Sequence, residues 1–104
     1  MASLFTKILL WEIPWDIVFQ NNNMFVIKDI NPLDTTHLLI IPKEEIDSIN
    51  HISEKDIITE MFECWVKLAK DFGLTDWYQL RINAWDRQEI PHIHMHLISD
   101  RVMI

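Results

Sequence analysis

The chain is poor in several things that usually betray a small protein's class. Its 104 residues include one cysteine, Cys64, which excludes an internal disulfide framework and a Cys-rich zinc knuckle and makes a reducing compartment the default. A single glycine, Gly73, and four prolines exclude collagen-like, Gly-rich and loop-dominated designs. Nine basic residues face sixteen acids for a net charge of −7, and nowhere do three bases stand together. No basic stripe therefore exists for nucleic acid or for an anionic membrane surface, although one pocket can still hold a small anion. The longest apolar runs, Ile8–Trp11 and Leu38–Pro42, are too short to span a bilayer. Glu12 and Pro14 break the first run before a signal-peptide core forms. The expectation is a soluble, cytoplasmic protein that binds neither nucleic acid nor membrane.

What is present is apolar and aromatic: 49% hydrophobic residues, with five Trp and five Phe. That excludes disorder, and roughly 60–70% of the unfolded surface can be buried at this length. No repeat, linker or low-complexity tract divides the chain, so residues 1–104 read as a single domain.

The clearest element is a helix over 54–72. Ser53 and Asp56 make a capping-box pattern, and Ile58, Met61, Phe62, Trp65, Leu68, Ala69 and Phe72 form a helical stripe. Gly73 falls where a left-handed C-cap belongs. Ile17–Phe19 and Met24–Ile27 flank three asparagines and read as a hairpin. Leu38–Ile41 is a short apolar strand, and Tyr78–Asn83 and His92–Ile98 alternate as half-buried strands. A short helix around Ser3–Leu10 completes an α+β class, a mostly antiparallel sheet with a long helix on one face.

In His92-Ile93-His94-Met95-His96-Leu97-Ile98 three histidines recur at period two. On a strand this puts three imidazoles on one face, roughly 6.5–7 Å apart, and sends Ile93, Met95 and Leu97 to the other. Neutral imidazole is a nucleophile and imidazolium an acid or anion ligand, both accessible near neutral pH. A zinc site is the competing chemistry, and it wants a carboxylate or a fourth histidine within reach. His51 lies in a polar stretch and reads as solvent-exposed, and Cys64 as a small packing residue.

His-Ile-His-Met-His-Leu-Ile resembles the signature of the histidine-triad (HIT) superfamily of nucleotide hydrolases and transferases, and Gln88–Pro91 resembles the run that leads into it. Asp29-Ile30-Asn31-Pro32 followed by Thr36–Lys43 resembles the second hallmark. Phe5, Lys7, Ile8, Glu12, Ile13 and Pro14 echo the Hint-like branch. The resemblance implies a HIT-like fold, a five-stranded sheet with one long and one short helix, assembled as a homodimer. It implies a purine nucleotide substrate (AMP- or GMP-like) cleaved at the α-phosphate, at a P–N or P–O bond, through a nucleotidyl-histidine. His94 would be the nucleophile, held by a backbone carbonyl; His96 and Gln88 would reach the phosphate or leaving group, with His92 and His37 behind. Asp29 would accept from the ribose, Ile30, Ile27, Ile13 and Phe5 would wall the base, and Asn83 and Glu89 would lie near the phosphate. No metal or cofactor enters this scheme. The stretch Asn83-Ala84-Trp85-Asp86-Arg87-Gln88 lacks the glycines usual there. The rival functions are a catalytically weak nucleotide-binding interaction protein, a dinucleoside polyphosphate hydrolase, and a metal-binding module built on His92, His94, His96 and His37.

Overall fold

The computed structural model describes residues 3–51, 55–74, 78–84, 90 and 92–102. The sequence-based readings of Ser53, Trp85, Arg87, Gln88, Glu89 and Pro91, and of the side chain of His51, lie outside the described residues. Chain order is α1 (Leu4–Leu9), β1 (Ile17–Gln20), β2 (Met24–Lys28), β3 (Thr36–Pro42), a 3₁₀ turn at Ile49–His51, α2 (Lys55–Asp71), β4 (Tyr78–Ile82) and β5 (Met95–Ser99). The strands form one sheet in the order β1-β2-β3-β5-β4, antiparallel throughout, as expected from the sequence.

Local chemistry explains the corners. Asn21 closes the β1–β2 hairpin, its Oδ1 accepting from the backbone N–H groups of Asn23 (3.0 Å) and Met24 (2.8 Å). Gly73 sits at φ 69° and ends α2, with Leu74 N–H donating to Ala69 O at 2.8 Å, the long bond of a Schellman cap. α1 ends the same way without a glycine. Trp11 takes φ 63°, and Glu12 N–H donates to Lys7 O at 2.9 Å.

The sheet buries both faces. Met24, Val26, Leu38, Ile40, Ile93, Met95 and Leu97 pack against Ile57, Met61, Cys64 and Leu68 of α2. On the opposite face Phe25, Ile27, Leu39 and Ile41 meet Phe5 and Ile8 of α1. The buried stripe of α2 is thus rotated from the one read in sequence. Ile57 and Cys64 face the core, whereas Ile58, Phe62 and Val66 are exposed. An unbroken apolar run such as Ile57-Ile58 leaves the phase of a helix ambiguous, and the sheet decides it.

The triad strand is shorter than the alternation suggests. Pairing with β3 begins at Met95, opposite Ile40, and His92–His94 approach it outside the ladder. Two groups end the pairing: Ile93 N–H donates instead to Ile46 O (2.6 Å), and Pro42 has no N–H and gives its carbonyl to the His92 ring.

Candidate active site

The four triad-region histidines can be assigned tautomers from their partners, because a carbonyl only accepts and a backbone N–H only donates. His94 Nδ1 lies 2.8 Å from His92 O, so this nitrogen carries the proton and Nε2 carries the lone pair. Leu33 N–H donates to His37 Nδ1 (3.1 Å), so the proton of neutral His37 is on Nε2. That N–H points at His96 Nδ1 (2.8 Å) and Asp29 Oδ2 (3.2 Å). His96 therefore accepts at Nδ1 and bears its hydrogen on Nε2, which is buried and has no hydrogen-bond partner among the described residues. The strand thus sets a ring nitrogen with a lone pair beside a ring N–H donor, the two rings 4.8 Å apart.

Burial favours the neutral form of His96, His37 and His92. Burial, helped by the neighbouring His94 and His37, pushes the His96 imidazole down to about 4. Burial also lowers His37, against the pull of Asp29, and lowers His92, against its hydrogen bond to Pro42 O.

The rings open on a cleft of about 300 Å³ lined by Leu4, Phe5, Ile27, Asp29, Ile30, Asn31, Leu39, Ile90, His94 and His96. Phe5 sets its ring edge-on to His92 and His94, at centroid distances of 5.6 and 4.9 Å. Asp29 holds a turn, Oδ1 accepting from Asn31 N–H at 2.9 Å, while it lines the cleft. Its turn role and its site role coexist. Leu4, Asn31, Leu39 and Ile90 belong to the cleft although none of them has a site role in the sequence reading; Asn31, Leu39 and Ile90 lie within the motifs named there and Leu4 lies outside them. On the side of β5 away from β3, Arg81 of β4 stands opposite His96 on the same face, a cation that strand alternation alone would have located.

Other expected site residues fall elsewhere. Ile13 packs on the apolar cluster beneath α1 and is not among the described residues lining the cleft, because the left-handed Trp11 turns the chain away after α1. His37 stands beside His96, in line with Asp29, rather than behind the triad, since it lies two residues along β3 from the Leu39–His96 pair and on the same face. Asn83 is half-buried just past the last β4–β5 rung, Ile82–Met95. A larger cavity of about 500 Å³ lies across Asp29, between Trp15, Lys28, Pro32 and Val102. It contains neither His94 nor His96, so the chemistry rather than size selects the smaller cleft.

For a metal, Asp29, His37 and His96 are the group whose ligand atoms converge among the described residues. His37 Nε2, His96 Nδ1 and Asp29 Oδ2 are 2.8, 3.2 and 3.9 Å from one another. Tetrahedral zinc with imidazole and carboxylate ligands separates them by about 3.3 Å. The metal module read across all three triad histidines is corrected. His92 has both ring nitrogens engaged, with Pro42 O (2.7 Å) and Ser3 Oγ (2.6 Å), because its ring is inside the protein at 0% exposure.

Fold and site together define a histidine-triad domain, and comparison with known proteins agrees. Residues 2–103 match the family described as "Scavenger mRNA decapping enzyme C-term binding". The purine nucleoside phosphoramidase of Escherichia coli (strain K12) is 38% identical over 104 residues, which is 95% of this chain and 87% of that protein. Protein HitA of Neisseria gonorrhoeae is 36% identical over 103 residues, covering 95% and 96%. The crystal structure of a HIT family hydrolase from Legionella pneumophila Philadelphia 1 superposes with a TM-score of 0.89 at 38% identity, covering 99% of this chain and 96% of that one. The chain belongs to the histidine-triad (HIT) superfamily, and its relatives support a nucleotide hydrolase.

Proposed function

We propose that the protein hydrolyses a purine nucleotide at its α-phosphate, with a phosphoramidate P–N bond as the preferred target, through a nucleotidyl-histidine on His94. The carrying observation is the complementary pair of tautomers over the cleft, a lone pair on His94 Nε2 beside an N–H on His96 Nε2. His94 Nε2 attacks phosphorus while the P–N bond to the leaving amine breaks; the ring, keeping its Nδ1–H, becomes a nucleotidyl-imidazolium, and the amine departs with a proton taken from solvent. Water then attacks the same phosphorus, the bond to His94 breaks, and the nucleoside monophosphate leaves with the neutral ring restored. His96 Nε2–H donates to the phosphate or the leaving group, and Asp29 accepts from the ribose hydroxyls. Phe5, Ile27 and Ile30 wall the base, while Asn83, Gln88 and Glu89 belong to the phosphate side. The E. coli relative's name supports both the purine and the P–N bond. The whole of residues 1–104 acts as one domain in this reading, and the setting is cytoplasmic; among the described residues no helix is long and apolar enough to cross a membrane.

The same reading includes a homodimer. β4 is an edge of the sheet, and beside it α2 leaves Ile58, Phe62 and Val66 exposed at i, i+4 and i+8. Pairing β4 with its copy would extend the sheet and cover that stripe. Sedimentation equilibrium should give twice the chain mass, and Phe62→Glu should return it to one.

The deciding experiment is a single turnover of adenosine phosphoramidate, quenched and read by intact mass. A transient gain equal to AMP, absent in His94→Ala, is expected. No adduct and no release with adenosine and guanosine phosphoramidates, while a dinucleoside polyphosphate is cleaved, would move the assignment to that hydrolase. Binding of AMP with no turnover of any of the three would make it a nucleotide-binding interaction protein.

A further inference from the structure

Most groups around the cleft are absorbed by that reading, but one is not. Ser3, a residue no motif marks, lies 89 positions from His92 and places its Oγ 2.6 Å from His92 Nδ1. The opposite nitrogen, Nε2, is 2.7 Å from Pro42 O and must be the donor there. Nδ1 of the neutral ring is therefore an acceptor, and among the described residues the hydrogen that reaches it is the hydroxyl proton of Ser3, for which Thr6 Oγ1 at 3.3 Å is the longer, competing contact. The hydroxyl is itself held in place. Thr6 N–H donates to Ser3 Oγ at 3.1 Å as the cap of α1, and Ser3 N–H donates to Glu45 Oε1 at 2.6 Å. Downstream, the carbonyl of this same His92 receives the Nδ1–H of His94.

We propose that Ser3 is a positioning residue for the nucleophile. Its hydroxyl satisfies the last hydrogen-bonding valence of a fully buried ring and fixes the orientation of His92. The His92 carbonyl thereby keeps His94 in the tautomer with its lone pair on Nε2. The geometry gives α1 two functions, since the same short helix lines the cleft with Leu4 and Phe5. A ligand seated against α1 presses on the element that aligns the attacking ring. The inference rests on the proposed nucleophile for its catalytic consequence, but its structural half stands without it.

The test begins with the unaltered protein. Long-range ¹H–¹⁵N correlation of the imidazoles should show His92 as the Nε2–H tautomer and His94 as the Nδ1–H tautomer at neutral pH, with the Ser3 hydroxyl proton protected from exchange. His92 as the Nδ1–H form would overturn the proposal before any variant is made. In Ser3→Ala the His94 signals should lose their single-tautomer pattern, and kcat for the phosphoramidate should fall about tenfold to a hundredfold, KM changing by less than about threefold. Ser3→Thr, which keeps both hydroxyl and cap, should restore the tautomer and most of kcat. Unchanged His94 signals and kcat in Ser3→Ala would overturn the proposal. So would a loss confined to KM, which is the mark of a cap that only shapes the base wall. If the wild-type protein turns over none of the nucleotides, the proposed function fails, and the ring-nitrogen signals of Ser3→Ala still decide the role of Ser3.

Discussion

The two faces of the one sheet are built to opposite specifications. The face under α2 is mainly apolar and covered by a 17-residue helix, its buried strand residues being hydrocarbons and thioethers except for the paired hydroxyl residues Thr36 and Ser99 at one end. The face under α1 is covered by six residues, and it holds His37, His92 and His94 at 4%, 0% and 6% exposure. Buried polar groups are tolerated there because most are paired in two runs of hydrogen bonds, one through Ser3, His92 and His94 and one through Asp29, His37 and His96. His96 Nε2, without a hydrogen-bond partner among the described residues, points to a ligand rather than to a defect, since His96 lines the cleft. The difference teaches that stability and chemistry are divided between faces, with alternation along one strand assigning Met95 and Leu97 to the first and His96 to the second.

Four measurements would break or sharpen that division. The largest effect should come from His94→Ala, which removes the attacking nitrogen. We expect kcat to fall by at least about a thousandfold while the protein still melts cooperatively. Turnover within tenfold of wild type would dissolve the functional half of the comparison. Next, Leu68→Ala on the α2 face should cost about 2–5 kcal/mol in urea unfolding and leave kcat at 25 °C within about twofold, since Leu68 is 1% exposed and meets no site residue. A comparable loss of kcat would mean the faces are coupled.

The third measurement is stability against pH. The folded His96 ring titrates near 4 and the unfolded one near 6.5. Between those values the unfolded chain binds more protons than the folded one, so stability rises with pH across that window. It should be lost as pH falls from 6.5 to 4, by up to about 3 kcal/mol from this ring, with His37 and His92 acting in the same direction. Replacing His96 by Asn should flatten the slope, and an unchanged slope would place the burial cost elsewhere. The smallest effect should be Trp11→Gly. Trp11 is 69% exposed at φ 63°, where a β-carbon costs roughly 1 kcal/mol, so the glycine should raise the urea midpoint by about that much and leave kcat alone. A lowered midpoint would show that the indole packs usefully against α1.

Legibility in the sequence followed the range of the interactions. Strand alternation announced β4 and β5, and the asparagine run announced the first hairpin, because backbone geometry and local hydrogen bonds decide both. Gly73 announced the end of α2, but nothing announced that Trp11 would take the same left-handed role at the end of α1. The α2 stripe was half legible. Ile58 and Phe62 were read into the core beside Met61 and Leu68, and only packing against β2 and β3 assigned the inner face to Ile57 and Cys64. At the site, the histidine spacing and the Asp29 motif were visible as residue types. Ser3 was not, since its partner lies 89 residues away and a serine at a helix start carries no sign of a second role.

The amino-acid order by itself determined which side chains share a face and that three imidazoles stand together, since period-two geometry requires no partner from afar; that one carboxylate and one further histidine belong with them was legible only through the motif resemblance. The tertiary structure alone decided which nitrogen of each ring carries the proton, which hydrophobics form the cleft wall and which face of α2 is inside. Each of those depends on a carbonyl, a hydroxyl or a sheet surface brought from a distant part of the chain. An imidazole's two nitrogens remain equivalent choices until such a partner is fixed beside one of them.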